Sequence, residues 1–177
     1  MSFNSIAIPL NISRLYHRTY EEFMMAPISA CSVVLGEAAA GCLRGLFGAV
    51  VVLGLSFAFG ARLNLVPLFW LILLLNSFLF SCLGIFAAML INSHEDMNAF
   101  SSFVIVPMAF LSNTFFSTRD LPAAVNLIIN VLPLTHTSKA LRALALQQPF
   151  PWESLLLLAF FAALFFWLAV RVSLRGE

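Results

Sequence analysis

Charge is scarce in this sequence: Asp, Glu, Lys and Arg make up 10% of its 177 residues, against 62% hydrophobic residues. Soluble domains carry about 25% charged residues, so a water-soluble globular chain is excluded and an integral membrane protein is expected. Nine basic residues against eight acidic ones leave a net charge of +1, which removes the electrostatic basis for binding nucleic acid. Cysteine is equally thin. Cys31, Cys42 and Cys82 are odd in number, far apart, and lie in or beside apolar segments, so no disulfide framework and no CxxC metal or redox site is expected, and all three read as packing residues. Lysine occurs once, as Lys139 in Thr137-Ser138-Lys139-Ala140, without the glycines that let backbone amides wrap a phosphate; the chain is not expected to hydrolyse ATP by itself. There is no GxSxG elbow and no HExxH, and His17, His94 and His136 fall in three separate polar segments. No catalytic residue, metal site or cofactor of the chain's own is therefore expected. Nor is Met1 followed by a basic region, a short apolar core and a cleavage site, so no signal peptide is expected and the hydrophobic segments themselves must insert.

What the sequence does have is apolar length and one amphipathic stretch. Ile12, Leu15, Tyr16, Thr19, Tyr20, Phe23 and Met24 recur at helical spacing, with Arg14, His17, Arg18, Glu21 and Glu22 on the opposite side, the pattern of a helix lying along a surface. Pro27 ends it, because proline disfavours helical geometry in the preceding residue and supplies no amide donor. Two readings stay open: a juxtamembrane interfacial helix, or a docking element that receives force from a soluble partner. Residues 1–11 are too brief to cross about 30 Å of hydrocarbon and fit the tail of a longer span. Expected spans follow at Val33–Phe59, Val66–Ile91, Ala99–Phe116 and Ser154–Val172. The second, polar only at Asn76, Ser77, Ser81 and Cys82, reads as the most lipid-like; the third carries Pro107, where a kink is expected. The fold class is all-α: a polytopic transmembrane helical protein of about four spans.

Two charges stand inside the first span. At 100° per residue, Glu37, Gly41, Arg44, Gly45 and Gly48 share about a third of the helix circumference, so a small-residue stripe and the charges face protein rather than lipid. Close helix packing and a place on a transport path are the two readings. In the loop 92–98, His94, Glu95 and Asp96 could suggest metal ligands or an acid–base pair, but Ser93 stands three residues before Asp96, the spacing of a capping box. Asp120 can cap a short helix with Pro122 in its first turn. The apolar run Leu121–Leu132 ends at Pro133, and a further short helix, Thr135–Leu146, places Thr135, Ser138, Lys139 and Arg142 on one side. These two short helices suggest a re-entrant or interfacial hairpin. His136 with Lys139 could be imagined as a lipid-phosphate site, though a solvated helix face explains them more simply. Trp152 marks an interface. Charge does not orient the chain: Arg14, Arg18, Arg171 and Arg175 would lie on one side and Arg62, Arg119, Lys139 and Arg142 on the other.

Two stretches resemble a known family. Tyr16-His17-Arg18-Thr19-Tyr20-Glu21-Glu22-Phe23-Met24-Met25-Ala26-Pro27-Ile28-Ser29, followed by Leu35-Gly36-Glu37, resembles the cytoplasmic connection into the third span of ABC transporter type-2 permeases, which export polysaccharides, lipids or drugs. Phe110-Leu111-Ser112-Asn113-Thr114-Phe115-Phe116, Asp120-Leu121-Pro122, Leu132-Pro133-Leu134-Thr135-His136 and Ala140-Leu141-Arg142 resemble that family's external hairpin before its last span. The resemblance implies a bacterial inner-membrane permease subunit with 1–32 as the cytoplasmic connection, 33–116 as three spans, 117–153 as the external hairpin and 154–177 as the last span and tail. It implies that Arg18, Glu21, Glu22, Phe23, Met24, Met25 and Pro27 contact a separate nucleotide-binding ATPase subunit, where ATP and Mg are held, and that Asn113, Asp120, Pro122, Pro133, His136 and Arg142 belong to the hairpin. It further implies two permease copies lining a path in membrane lipid. Such permeases have six spans and this chain matches from the end of the second, so a truncated permease or a fragment of a longer one is expected. From the residues alone, a non-transporting scaffold assembled through Gly41, Gly45 and Gly48 and a membrane enzyme acting on lipid are the rival readings.

Overall fold

The computed structural model describes residues 2–17, 29–60, 65–112, 129 and 131–174. Among the described residues the structure is helical throughout, with turns and no strand. Helix α1 (Ser2–Ile12) widens into a π turn at Ser13–His17; α2 is Ala30–Ala58 and α3 is Pro67–Leu90. Helix α4 (His94–Phe100), a π turn at Ser101–Ile105 and α5 (Val106–Leu111) follow without a break, and α6 (Pro133–Ala145) and α7 (Trp152–Ser173) complete the described chain.

Helices α2, α3 and α7 are long and apolar enough to cross a membrane. At 1.5 Å per residue the 29 residues of α2 span about 43 Å, more than the hydrocarbon core, so this helix reaches beyond it. The chain is an integral membrane protein of the all-α class. The segment expected as the third span is helical from His94, but as an α–π–α run rather than one regular helix. The wide turn ends just before Pro107, whose missing amide and bulky ring disrupt the regular bonding of the preceding turn.

The sequence pattern misplaced α3. It is not the lipid-facing helix but the central one: 56% of its most apolar window is buried, against 22% for α2 and 17% for α7. Helices α1, α2, α6 and α7 all pack on it. Hydropathy cannot tell a lipid-facing apolar surface from a protein-facing one; the small residues Ser77, Ser81, Cys82, Gly84, Ala87 and Ala88, all buried, are what admit neighbouring helices. The outward sides of α2 and α7 instead carry exposed Leu43, Phe47, Leu55, Leu156, Phe160 and Trp167, which suit lipid.

Residues 1–11 are expected as the tail of a longer span, and residues 2–12 are helical and packed. They form a helix whose Phe3, Ile6, Ala7 and Leu10 enter the core, with Phe3 and Phe100 rings 6.0 Å apart. Helix α1 runs parallel to α3 and antiparallel to α2. Ser2 and Ile6 meet Gly45 and Gly41 of α2 in reverse order, while Phe3 and Ala7 meet Gly84, and Asn11 meets Ile91. At Gly84 a Cβ would stand 3.1 Å from the Phe3 carbonyl oxygen, so a side chain there would push the two backbones apart by a few tenths of an ångström.

Candidate functional site

Among the described residues, polar features interrupt the apolar bundle at several places. The first closes the C-terminal end of α3. A helix leaves its last carbonyls unbonded, and here the Ala87 carbonyl accepts from the Ile91 amide at 3.0 Å. The Arg14 guanidinium donates to the Ala88 carbonyl at 2.7 Å and also to the Met89 carbonyl and the Asn92 side-chain oxygen. Asn11 Nδ2 donates to the Ile91 carbonyl at 2.8 Å. A cation at a helix C-terminus is further favoured by the helix dipole, by about 0.3–1 kcal/mol. Beyond Asn92, Ser93 Oγ accepts from the Asp96 amide at 3.2 Å and so caps α4, with Glu95 and Asp96 in its first turn. The capping reading of this loop holds. Arg14 does not keep the outward position that the amphipathic pattern gave it; where the helix widens, it turns onto the end of α3.

The second feature is the seam of α2. A Cβ at Gly41 would press on Ser81 Oγ and lie 2.6 Å from Ile6 Cγ1; one at Gly45 would press on Ser2 Oγ and lie 2.7 Å from Ser77 Oγ. Ser81 Oγ itself donates to the Ser77 carbonyl at 2.7 Å. Arg44 Nη1 donates to the Ser5 carbonyl at 2.6 Å. Glu37, one turn before Gly41, is half-buried. Gly45 and Gly48 continue into an open apolar cleft of ≈ 330 Å³ between α2 and α3, lined also by Val52, Leu53, Phe69 and Leu73.

The third feature joins α6 to α3 and α7. Thr137 Oγ1 donates to Asn76 Oδ1 at 2.9 Å, and His136 Nδ1 lies 3.3 Å from Ser154 Oγ. Thr135, His136 and Thr137 are all buried, which corrects the expectation that His136 lies on a solvated helix face. The face predicted from Thr135 to Arg142 is graded instead, from fully buried Thr135 to exposed Arg142. Spacing could not show this, because the partners Asn76 and Ser154 are 61 and 18 residues away. Pro133 occupies the first turn of α6, where its missing amide costs no bond. Asn76 also lines a cavity of ≈ 140 Å³ with Ser2, Phe3, Phe80, Met108 and Leu134.

Of the other residues singled out in the sequence, Arg18, Glu21, Glu22, Phe23, Met24, Met25 and Pro27 lie outside the described residues, as do Asn113, Asp120 and Pro122. The two ends that flank residues 18–28 are described. One is the π turn that carries Arg14; the other is Ser29, whose Oγ accepts from the Ser32 amide at 3.3 Å and caps α2. Sequence reasoning missed the anchoring role of Arg14 and Asn11. The available signal was an amide and a guanidinium three residues apart at the end of an apolar helix. Among the described residues, no three His, Cys, Asp or Glu side chains are grouped to hold a metal.

The chain is similar to an inner membrane transport permease, YadH, of Escherichia coli K12, with 25% identity over 128 residues, covering 72% of this chain and 50% of the relative. It is 30% identical over 137 residues to nodulation protein J of Neorhizobium galegae, covering 76% of this chain and 52% of that one. Nodulation protein J of Sinorhizobium fredii is 26% identical over 161 residues, or 89% of this chain and 62% of the relative. The chain thus spans about half the length of the first two relatives. No solved structure matches it significantly. The ABC-2 type transporter family matches residues 1–146, and it is to this family that the chain belongs.

Proposed function

We propose that the chain forms part of the membrane permease of an ATP-driven exporter in a bacterial inner membrane, with ATP hydrolysed by a separate subunit. In this reading residues 15–27 dock on that ATPase, and closure of the ATPase pushes them and tilts the attached helices. Two permease copies line the path between them. The residues of the docking stretch divide the work: Phe23, Met24 and Met25 anchor through apolar contact, and Glu21 and Glu22 meet basic residues of the ATPase. The cargo class that suits an oily path is an amphiphile: a lipid, a lipid-linked polysaccharide or a drug-like molecule.

The observation that carries this reading is the family match across residues 1–146, which includes the whole docking stretch. The bundle supports it: both flanks of residues 18–28 are tied into helices that pack on α3, so a push there would meet a packed body rather than a loose loop. Glu22→Arg tests it. Purified in mild detergent, the protein containing this chain should bring an ATPase subunit with it in near-stoichiometric amount, and Glu22→Arg should reduce that amount at least about tenfold, a loss of about 1.4 kcal/mol, while membrane insertion is unchanged. An ATPase retained in full by Glu22→Arg, with normal transport, would sink the docking assignment.

A further inference from the structure

The chain connects residues 18–28 covalently to α1 on one side and α2 on the other. It does not connect them directly to α3, whose C-terminal end lies some sixty residues further along. Yet α3 is the helix on which α1, α2, α6 and α7 all pack, so no displacement reaches the whole bundle unless it reaches α3. To the packing of α1 and α2 on α3, Arg14 and Asn11 add a polar link at its C-terminal end. Arg14 stands in the turn just before residue 18, and its guanidinium joins the Ala88 and Met89 carbonyls to the Asn92 side chain, across the turn between α3 and α4. Asn11, fully buried, takes the Ile91 carbonyl. Water at a membrane surface could satisfy those carbonyls alone. A planar fork with five fixed donors does more, because it holds three acceptors on two elements in one geometry.

We infer that Arg14, with Asn11, is a positioning clamp that makes α3 and the Asn92 turn move as one body with the π turn at Ser13–His17, so that a push arriving through that turn drives the central helix together with α2. The inference rests on the docking reading above and adds to it the route by which force leaves the site. Without the clamp, α2 is pulled by its covalent connection while the C-terminal end of α3 follows only through helix packing.

The test uses the protein containing this chain in complex with its ATPase, with Cys31, Cys42 and Cys82 replaced by alanine and nitroxides attached at Leu35→Cys on α2 and Leu90→Cys on α3. Leu35 and Leu90 are 46% and 53% exposed, so both accept a label. The inter-label distance is read by pulsed electron resonance before and after trapping with Mg-ATP and vanadate. With Arg14 present, trapping leaves the distance unchanged. In Arg14→Gln it shifts by about 2 Å or more, the scale of helix shifts in switching proteins, while ATP hydrolysis continues; Arg14→Lys, which keeps the charge but not the fork, falls between. If Arg14→Gln fails to accumulate, Arg14→Lys carries the same comparison, with a smaller shift expected. An Arg14→Gln complex, or an Arg14→Lys complex where that variant alone accumulates, whose distance stays fixed on trapping overturns the clamp and leaves the docking reading standing. A parent protein that brings no ATPase with it overturns both.

Discussion

At the scale of single residues, the α2 seam turns on side chains that are absent. A Cβ added at Gly41 meets Ser81 and Ile6, whereas one added at Gly36 meets nothing within 4 Å. Gly41→Ala should therefore destabilise by about 1–3 kcal/mol, the usual cost of overpacking, and Gly36→Ala should leave stability unchanged or raise it by up to about 1 kcal/mol through helix propensity. Thermal unfolding in detergent separates the two, and equal midpoints would mean that α2 does not lie against α1 and α3 as described. A second prediction concerns Thr137. Thr137→Val keeps the shape but withdraws the donor from Asn76 Oδ1, and polar bonds between membrane helices average about 0.6 kcal/mol. The expected cost is of that order, and Asn76→Leu combined with Thr137→Val should recover it, because no polar group is then left unpaired.

At the scale of elements, ends and interruptions matter more than interiors. The apolar runs set where α2, α3 and α7 lie, and the expected and observed limits differ by only a few residues. The α4 cap was legible for the same local reason: Ser93 and Asp96 are three apart in sequence, and the Asp96 amide donates to Ser93 Oγ at 3.2 Å; the Ser29 cap of α2 was not read from the sequence. Ser93→Ala should cost about 1 kcal/mol and Ser93→Asp much less, as for other N-caps. Amide exchange at residues 94–97 should quicken in the alanine variant alone; unchanged exchange would mean that the turn, not the cap, holds α4. By contrast, the α–π–α course of residues 94–111 was legible only as a proline. Pro107 announces a disturbance, but whether a helix answers by kinking or by widening depends on what surrounds it.

For the whole molecule, the placement of the two polar ends is the prediction with most reach. The proposed topology puts the α3–α4 turn in the cytoplasm and the α6–α7 connection outside. Glu95 and Gln148 are both exposed. In a cysteine-free background, Gln148→Cys should react with a membrane-impermeant maleimide on intact cells, and Glu95→Cys only after permeabilisation. The reverse labelling would place residues 18–28 on the side away from ATP and end the docking reading.

Membership of the membrane, helical class and rough span limits follow from the sequence by itself, since they depend on apolar length and local spacing: a backbone in hydrocarbon must satisfy its own polar groups, and a helix of sufficient length is how a single segment does so. The family too is carried in the order of residues along the chain. What only the tertiary structure decided is which apolar surface meets lipid and which meets protein. Nothing in the hydropathy of α3 marks it as central, and nothing near Thr135–Thr137 marks that trio as buried. The Arg14 clamp is the sharpest case. Its acceptors lie 74 to 78 residues away, and local periodicity assigned the guanidinium to a surface. The reason is physical: lipid and protein interiors are almost equally apolar, so hydrophobicity does not distinguish them, and the partners that do are brought together only by folding.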